Sequence, residues 1–355
     1  MSKAIFVGAT GQNVGKTTLC LGLMAALKKK YATVGFLKPV GQYHVQVDSC
    51  TRVDKDALLF KEYFQLNTTW AHMSPVIIPS GFTRRFLDNE VSEESMLKRI
   101  KEAYKETTSR HAYTLVEGTG HVGVGSIINL NNAKVAAELG LDVILIASAG
   151  LGSAFDELAL NIAMSQQYGV KVKGVILNRV QDDKREMILN YFPKVLKQWG
   201  IPLMGCVPFS PFLSHPTMKD FEVLFNTNLL SGHKHHYRRF SHIRLVAGSL
   251  DAFRTEATSG ELVITPASRE DIITEALRRH SKAVGGIILT SRHPPQDSVV
   301  KMIQEVDMPV LYAPLCSYDA MKMITSFIGK IRTEDTQKIE QAIKLFESHV
   351  DMGVF

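Results

Sequence analysis

The chain has 355 residues, of which 45% are hydrophobic and 21% charged, an ordinary globular composition that excludes a disordered chain. At roughly 100–200 residues per domain, this length suits two domains. The net charge of +6 is mild and no basic stretch is interleaved with aromatics, so nucleic acid is not an expected partner. No apolar run approaches the ~18 residues of a membrane helix, so no membrane partner is expected either. Cys20, Cys50, Cys206 and Cys316 are scattered, without a zinc spacing or a disulfide framework. The chain enters a strand at once, with no signal-peptide pattern, and the expectation is a reduced cytoplasmic protein.

Residues 4–7 form an apolar run that predicts a short buried strand, and residues 18–27 predict a helix. Between them stands Gly8-Ala9-Thr10-Gly11-Gln12-Asn13-Val14-Gly15-Lys16-Thr17-Thr18. Strand, glycine-rich loop, Gly-Lys-Thr and helix together make the context of a phosphate-binding loop. Backbone N–H groups and a helix N-terminus would cradle phosphate oxygens, Lys16 would reach the outer phosphates, and Thr17 would offer its hydroxyl to Mg²⁺. The strict pattern G-x-x-x-x-G-K-[ST] has glycine where this chain has Thr10. The plain alternative is an ordinary strand-to-helix turn.

Lys28-Lys29-Lys30 suits the negative end of the first helix. Residues 33–37 predict a second strand, which ends at Lys38-Pro39-Val40-Gly41-Gln42. Ligands collect at strand carboxyl ends in open α/β sheets, which places Lys38 for function; a solvated surface lysine is the alternative. Asp54 and Asp56 precede an apolar helix start, where either can cap, and a carboxylate there can instead hold Mg²⁺. Residues 66–110 predict a strand, a lid-like loop around Pro79-Ser80-Gly81 and a helix over 96–107.

Residues 113–117 predict a buried strand that ends in Glu117, followed by Gly118-Thr119-Gly120-His121. A phosphate-loop protein needs an acidic group at the end of a neighbouring strand, and Glu117 stands there. Helices over 133–139, 157–168 and 184–199 then alternate with strands over 143–147, 172–177 and 204–207. This alternation predicts a doubly wound, mostly parallel α/β sheet. Asn178 lies at a strand end, where its amide can both donate and accept at a base edge.

The first ~225 residues resemble the dethiobiotin synthetase and cobyrinic acid a,c-diamide synthase group of phosphate-loop proteins. The resemblance is carried by Thr10 through Thr17, Lys38-Pro39-Val40, Asp56-Ala57, Val116-Glu117-Gly118 and Asn178-Arg179. It implies ATP and Mg²⁺ as ligands. Residues 10–18, that is Thr10, Gly11, Gln12, Asn13, Val14, Gly15, Lys16, Thr17 and Thr18, would hold phosphate. Thr17, Asp56 and Glu117 would hold the metal, with Asp54 as the rival of Asp56, and Lys38 would contact substrate and phosphate. Asn178 and Pro208 would lie at the adenine. On the substrate side the chain departs from dethiobiotin synthetase at Gly11, Gln42 and Gly120-His121.

Residues 226–242 include His233, His235 and His236 in a polar, basic stretch that reads as an exposed linker. Strands over 243–248, 262–265, 286–290 and 309–312, with a closing helix over 333–349, predict a second α/β domain over 243–355. Its order resembles the DRTGG domain, a pairing also found in front of the catalytic domain of some phosphotransacetylases. The Gly-Asp-Arg letters appear as Ala267-Ser268-Arg269 and Thr-Gly-Gly as Thr290-Ser291-Arg292. The resemblance implies an ATP-dependent ligase-like enzyme in which a small substrate's carboxylate or carbamate attacks the γ-phosphate. The other reading is a non-catalytic ATP sensor acting through the second domain. A homodimer is implied under both.

Overall fold

The structure is a computed structural model and describes residues 3–256, 258–280 and 283–355. It divides into two compact units, one of Met1–Ser210 with Ile331–Phe355 and the other of Pro211–Lys330.

The first unit is built on a six-stranded parallel sheet in the order Leu203–Pro208, Val172–Val180, Val143–Ser148, Lys3–Ala9, Tyr113–Glu117 and Val34–Leu37. These strands are apolar along nearly their whole length because both faces are covered. Alternate residues enter different cores: Phe6, Val143 and Leu145 enter one, whereas Ile5, Val7, Ile144 and Ile146 enter the other. All strands run the same way, so the residues that end them line one edge. The register sets Val7 opposite Glu117 and Leu37 opposite Val116. The phosphate loop, Lys38 and the Glu117 carboxylate are thereby neighbours although 79 residues separate the last two.

The closing helix, Thr336–His349, does not belong with the second sheet as its place in the chain suggests. It packs on Lys16–Lys30, the helix that follows the phosphate loop; Ile339, Ala342 and Phe346 make its buried stripe, and Ile339 and Phe346 join the core below. Space for it comes from Gly22, where a Cβ would lie 2.1 Å from that of Phe346. The tail then runs along the edge strand: Val350 bridges Gly205, and the Asp351 N–H donates to the Met204 carbonyl at 2.9 Å. Phe346 is fully buried. Phe346→Ala is therefore expected to cost about 3–5 kcal/mol of stability through the cavity it leaves, read as a lower urea midpoint with an unchanged slope.

The second unit holds a five-stranded sheet ordered Leu229–Ser231, Val310–Ala313, Val284–Thr290, Glu261–Pro266 and Ile243–Leu245. Only the pairing of the first with Val310–Ala313 is antiparallel. Residues 226–242 are accordingly not an exposed linker. They supply that antiparallel edge strand, and Phe240 is buried in the core below the sheet. The polar letters that suggested solvent are held by partners, with His236 Nδ1 2.7 Å from Glu222 and His235 Nε2 3.3 Å from Asp307.

Candidate functional site

The strand Lys3–Ala9 leads into the loop, and Gly15 takes φ +88° to turn it into the helix Lys16–Lys30. That helix has no acidic residue in its first turn and its cap makes no side-chain hydrogen bond, so its first N–H groups face the loop unneutralised. Thr17 and Thr18 are half-buried in the first turn, and Gln12 and Asn13 are exposed at the apex. Val14 is buried and anchors the loop in the core. Gly11 lies beside Val14 and the Glu157 carboxylate. The Thr10 hydroxyl is buried without a hydrogen-bond partner among the described residues.

Lys38 is not a solvated lysine. It is 2% exposed, and its ammonium donates to Asp56 Oδ2 at 2.6 Å, Glu117 Oε1 at 3.0 Å and the Gly118 carbonyl at 3.1 Å. Thr17 Oγ1 donates to the same Glu117 oxygen at 3.1 Å, and Lys16 Nζ donates to the Gly120 carbonyl at 3.1 Å. Glu117 is fully buried, and its other oxygen, Oε2, has no partner among the described residues. Burial works against the Lys38 charge, but Asp56 and Glu117 outweigh it and hold its pKa well above the ordinary lysine value. Lys16 goes the other way, pulled down to about 8 by burial and then by the Lys38 ammonium. Burial also raises Glu117, against the opposing pull of Lys38.

The two aspartates divide their work. Asp54 caps the helix Lys55–Phe64, with Oδ1 accepting the Asp56 N–H at 2.9 Å. Asp56, in the first turn, points its carboxylate at Lys38. Burial pushes Asp54 up to about 6, with Lys38 opposing and the Asp56 carboxylate adding to the rise.

Asn178 ends a buried strand segment and donates through Nδ2 to the Val14 carbonyl at 2.8 Å. Pro208 is half-buried at the end of the edge strand. His121 is exposed and its Nδ1 accepts the Gly123 N–H.

Two asparagines that sequence reasoning passed over hold the loops together. Asn132 accepts the Thr119 N–H at 2.9 Å and donates to the Thr119 and His121 carbonyls, both at 2.7 Å. Asn161 accepts the Val122 N–H at 2.9 Å and donates to the Thr10 carbonyl at 3.1 Å. The signal for Asn161 is a polar residue on the apolar stripe of its helix, between Leu158 and Ile162. A cavity of about 70 Å³ is lined by Val40, Gln42, Ile78, Thr83, Thr119 and Ile128 among others, so it draws on the segments that follow Lys38 and Glu117.

At the carboxyl edge of the second sheet the altered motif letters find partners in neighbouring segments. Arg269 donates to the Gly248 carbonyl and pairs with Asp271 at 2.8 Å, while the Thr290 and Ser317 hydroxyls lie 2.6 Å apart. Among the described residues no group of three or more His, Cys, Asp or Glu is placed to hold a metal ion, the histidines at 233–236 included. Among them, too, no helix is long and apolar enough to cross a membrane.

Residues 3–217 match the family described as AAA domain (AAA_26), and residues 224–327 match the DRTGG domain. A phosphate acetyltransferase of Nitratidesulfovibrio vulgaris is 27% identical over 364 residues, covering 99% of this chain and 51% of the relative. The chain thus spans about half the length of the curated phosphate acetyltransferases it matches. The ATP-dependent dethiobiotin synthetase BioD of Brachyspira hyodysenteriae is 30% identical over 200 residues, covering 53% of this chain and 87% of the relative. A solved MinC:MinD cell division protein complex from Aquifex aeolicus matches with a TM-score of 0.38 at 13% identity, over 60% of this chain and 84% of that one.

Proposed function

Because this chain belongs to the AAA_26 family and is homologous to dethiobiotin synthetase, with a DRTGG domain besides, we propose that it binds Mg-ATP at the Thr10–Thr18 loop and uses it in a ligase-like reaction. The observation that carries this reading is the buried Lys38 ammonium held between Asp56 and Glu117 beside a Gly-Lys-Thr loop. Holding an ammonium with a buried carboxylate and a half-buried one is costly, and such clusters collect where charge must be handled.

Thr17, Asp56 and Glu117 are a hard oxygen set of the kind Mg²⁺ takes, and the unpartnered Oε2 of Glu117 favours a cation there. When bound, the metal would neutralise charge on the β- and γ-phosphates. The protein's own part is positioning and charge. Lys16 and the loop N–H groups would hold the phosphates, and Lys38, whose three N–H groups are taken by Asp56, Glu117 and the Gly118 carbonyl, would turn from one of them to meet the γ-phosphate or the attacking oxygen. A substrate carboxylate or carbamate oxygen attacks the γ-phosphorus, ADP leaves, and a nitrogen nucleophile displaces phosphate from the acyl or carbamoyl phosphate. Asn178 and Pro208 would border the adenine. The cavity beside Val40 and Gln42 would take the non-reacting part of the substrate, a small one with some apolar surface.

A second reading is favoured by one observation: 99% of this chain aligns with only half of a phosphate acetyltransferase. A module carried within a larger enzyme can act as an ATP sensor, here through its DRTGG domain. Turnover separates the two. Incubation with Mg-ATP and a small-metabolite extract is expected to release ADP only when extract is present. Tight ATP binding with no ADP under any fraction would replace the enzyme with the sensor. The homodimer belongs to the same proposal, and light scattering at twice the 39.5 kDa chain mass is the expected result.

A further inference from the structure

We infer that Asn178 and Arg179 form a latch that holds the phosphate loop in its anion-binding shape, so that the strand end assigned to the base also sets the phosphate cradle. The inference rests on the nucleotide-site reading and gives these side chains a positioning role within it.

The two residues take two consecutive carbonyls of the loop. Asn178 Nδ2 donates to Val14 O at 2.8 Å, and the Arg179 guanidinium donates to Asn13 O at 3.3 Å. A carbonyl can only accept, so the nitrogen end of the Asn178 amide must face the loop, which leaves Oδ1 for a ligand. Across a trans peptide the C=O and the next N–H point in opposite directions. Drawing the carbonyls of Asn13 and Val14 toward the strand therefore turns the N–H groups of Val14 and Gly15 to the other side. Successive N–H groups turned one way are what an anion nest consists of.

The backbone is bent to allow this. Asn13 has φ +60° and Gly15 φ +88°, on either side of Val14. A Cβ at position 15 would lie 2.2 Å from Asn178 Nδ2, so any side chain there would displace the latch. Arg179 itself has φ +59°, a region that bulky residues enter at a cost and mostly at functional sites. Its guanidinium is further held over the Phe209 ring, 5.7 Å from the centroid.

Inorganic tripolyphosphate with Mg²⁺ is the probe, because it has phosphates and no base. Asn178→Ala and Arg179→Gly are each expected to bind it roughly fivefold or more weakly than the native chain, the loss of one ordering hydrogen bond. Glycine adopts φ +59° freely, so Arg179→Gly is expected to melt no lower than the native chain while losing affinity, which a merely structural role would not produce. Tripolyphosphate affinity unchanged in both variants, whether or not ATP binding falls, overturns the latch and leaves Asn178 as a base contact only. A native chain that binds neither tripolyphosphate nor ATP removes the nucleotide site itself, an outcome distinct from failure of the latch.

Discussion

A Lys16→Ala protein is expected to bind Mg-ATP about a hundredfold more weakly than the native chain while unfolding at nearly the same temperature. Among the described residues this lysine makes a single side-chain hydrogen bond, to the Gly120 carbonyl. Its ammonium is held in a place that disfavours charge, with the pKa pulled down to about 8 by burial and by Lys38. Little native stability therefore depends on it. A ligand phosphate changes the balance, because each charge-assisted hydrogen bond contributes roughly 1.5–3 kcal/mol. Two such bonds amount to about 3 kcal/mol or more, which is the hundredfold. Calorimetric titration gives the affinity and a thermal scan gives the stability. An unchanged ATP affinity would mean that the loop does not hold the nucleotide.

Lys38→Met should have the opposite signature, a large loss of stability before any ligand is added. The substitution keeps an unbranched side chain one atom shorter and removes the charge that Asp56 and Glu117 share. Two carboxylates would be left facing each other in a site where Glu117 is fully buried. Removing one partner from a buried ion pair costs about 3–5 kcal/mol. For a unit of this size that is a fall of roughly 10 °C in the melting temperature. Added Mg²⁺ is expected to restore part of the loss, since a divalent cation meets the same two carboxylates. A variant that melts with the native chain, with or without Mg²⁺, would show that the ammonium does not hold the cluster together.

What could be read beforehand follows from which signals are local. The strands of the first sheet are continuous apolar runs bounded by polar loops, and periodicity locates them. The two-residue strands Val40–Gly41 and Val76–Ile77 are too short to carry any period. Lys38 has the same letter whether it is solvated or buried; only the two carboxylates brought to it from 18 and 79 residues away decide. Asp54 and Asp56 look alike in the chain, and the cap geometry alone tells them apart. Residues 226–242 read as solvent-exposed because polar and basic residues cluster at 233–239, yet an edge strand needs few apolar residues of its own. The helix Thr336–His349 shows a clear apolar stripe, but a stripe says that a face is buried, not against what.

That last helix has a consequence for the order in which the protein is made. The first unit begins with the first strand and is not closed until residues 336–355 lie on Lys16–Lys30. Between Ser210 and that helix the ribosome must produce the whole of the unit Pro211–Lys330. At the usual ~5–20 residues per second, the apolar side of the phosphate-loop helix waits roughly 15 to 65 seconds for its cover. The second unit is complete in the growing chain before the first one is. Nascent chains stalled near residue 320 should therefore expose a sticky, protease-sensitive first helix, and a chaperone that shelters it would find its binding site within residues 16–30.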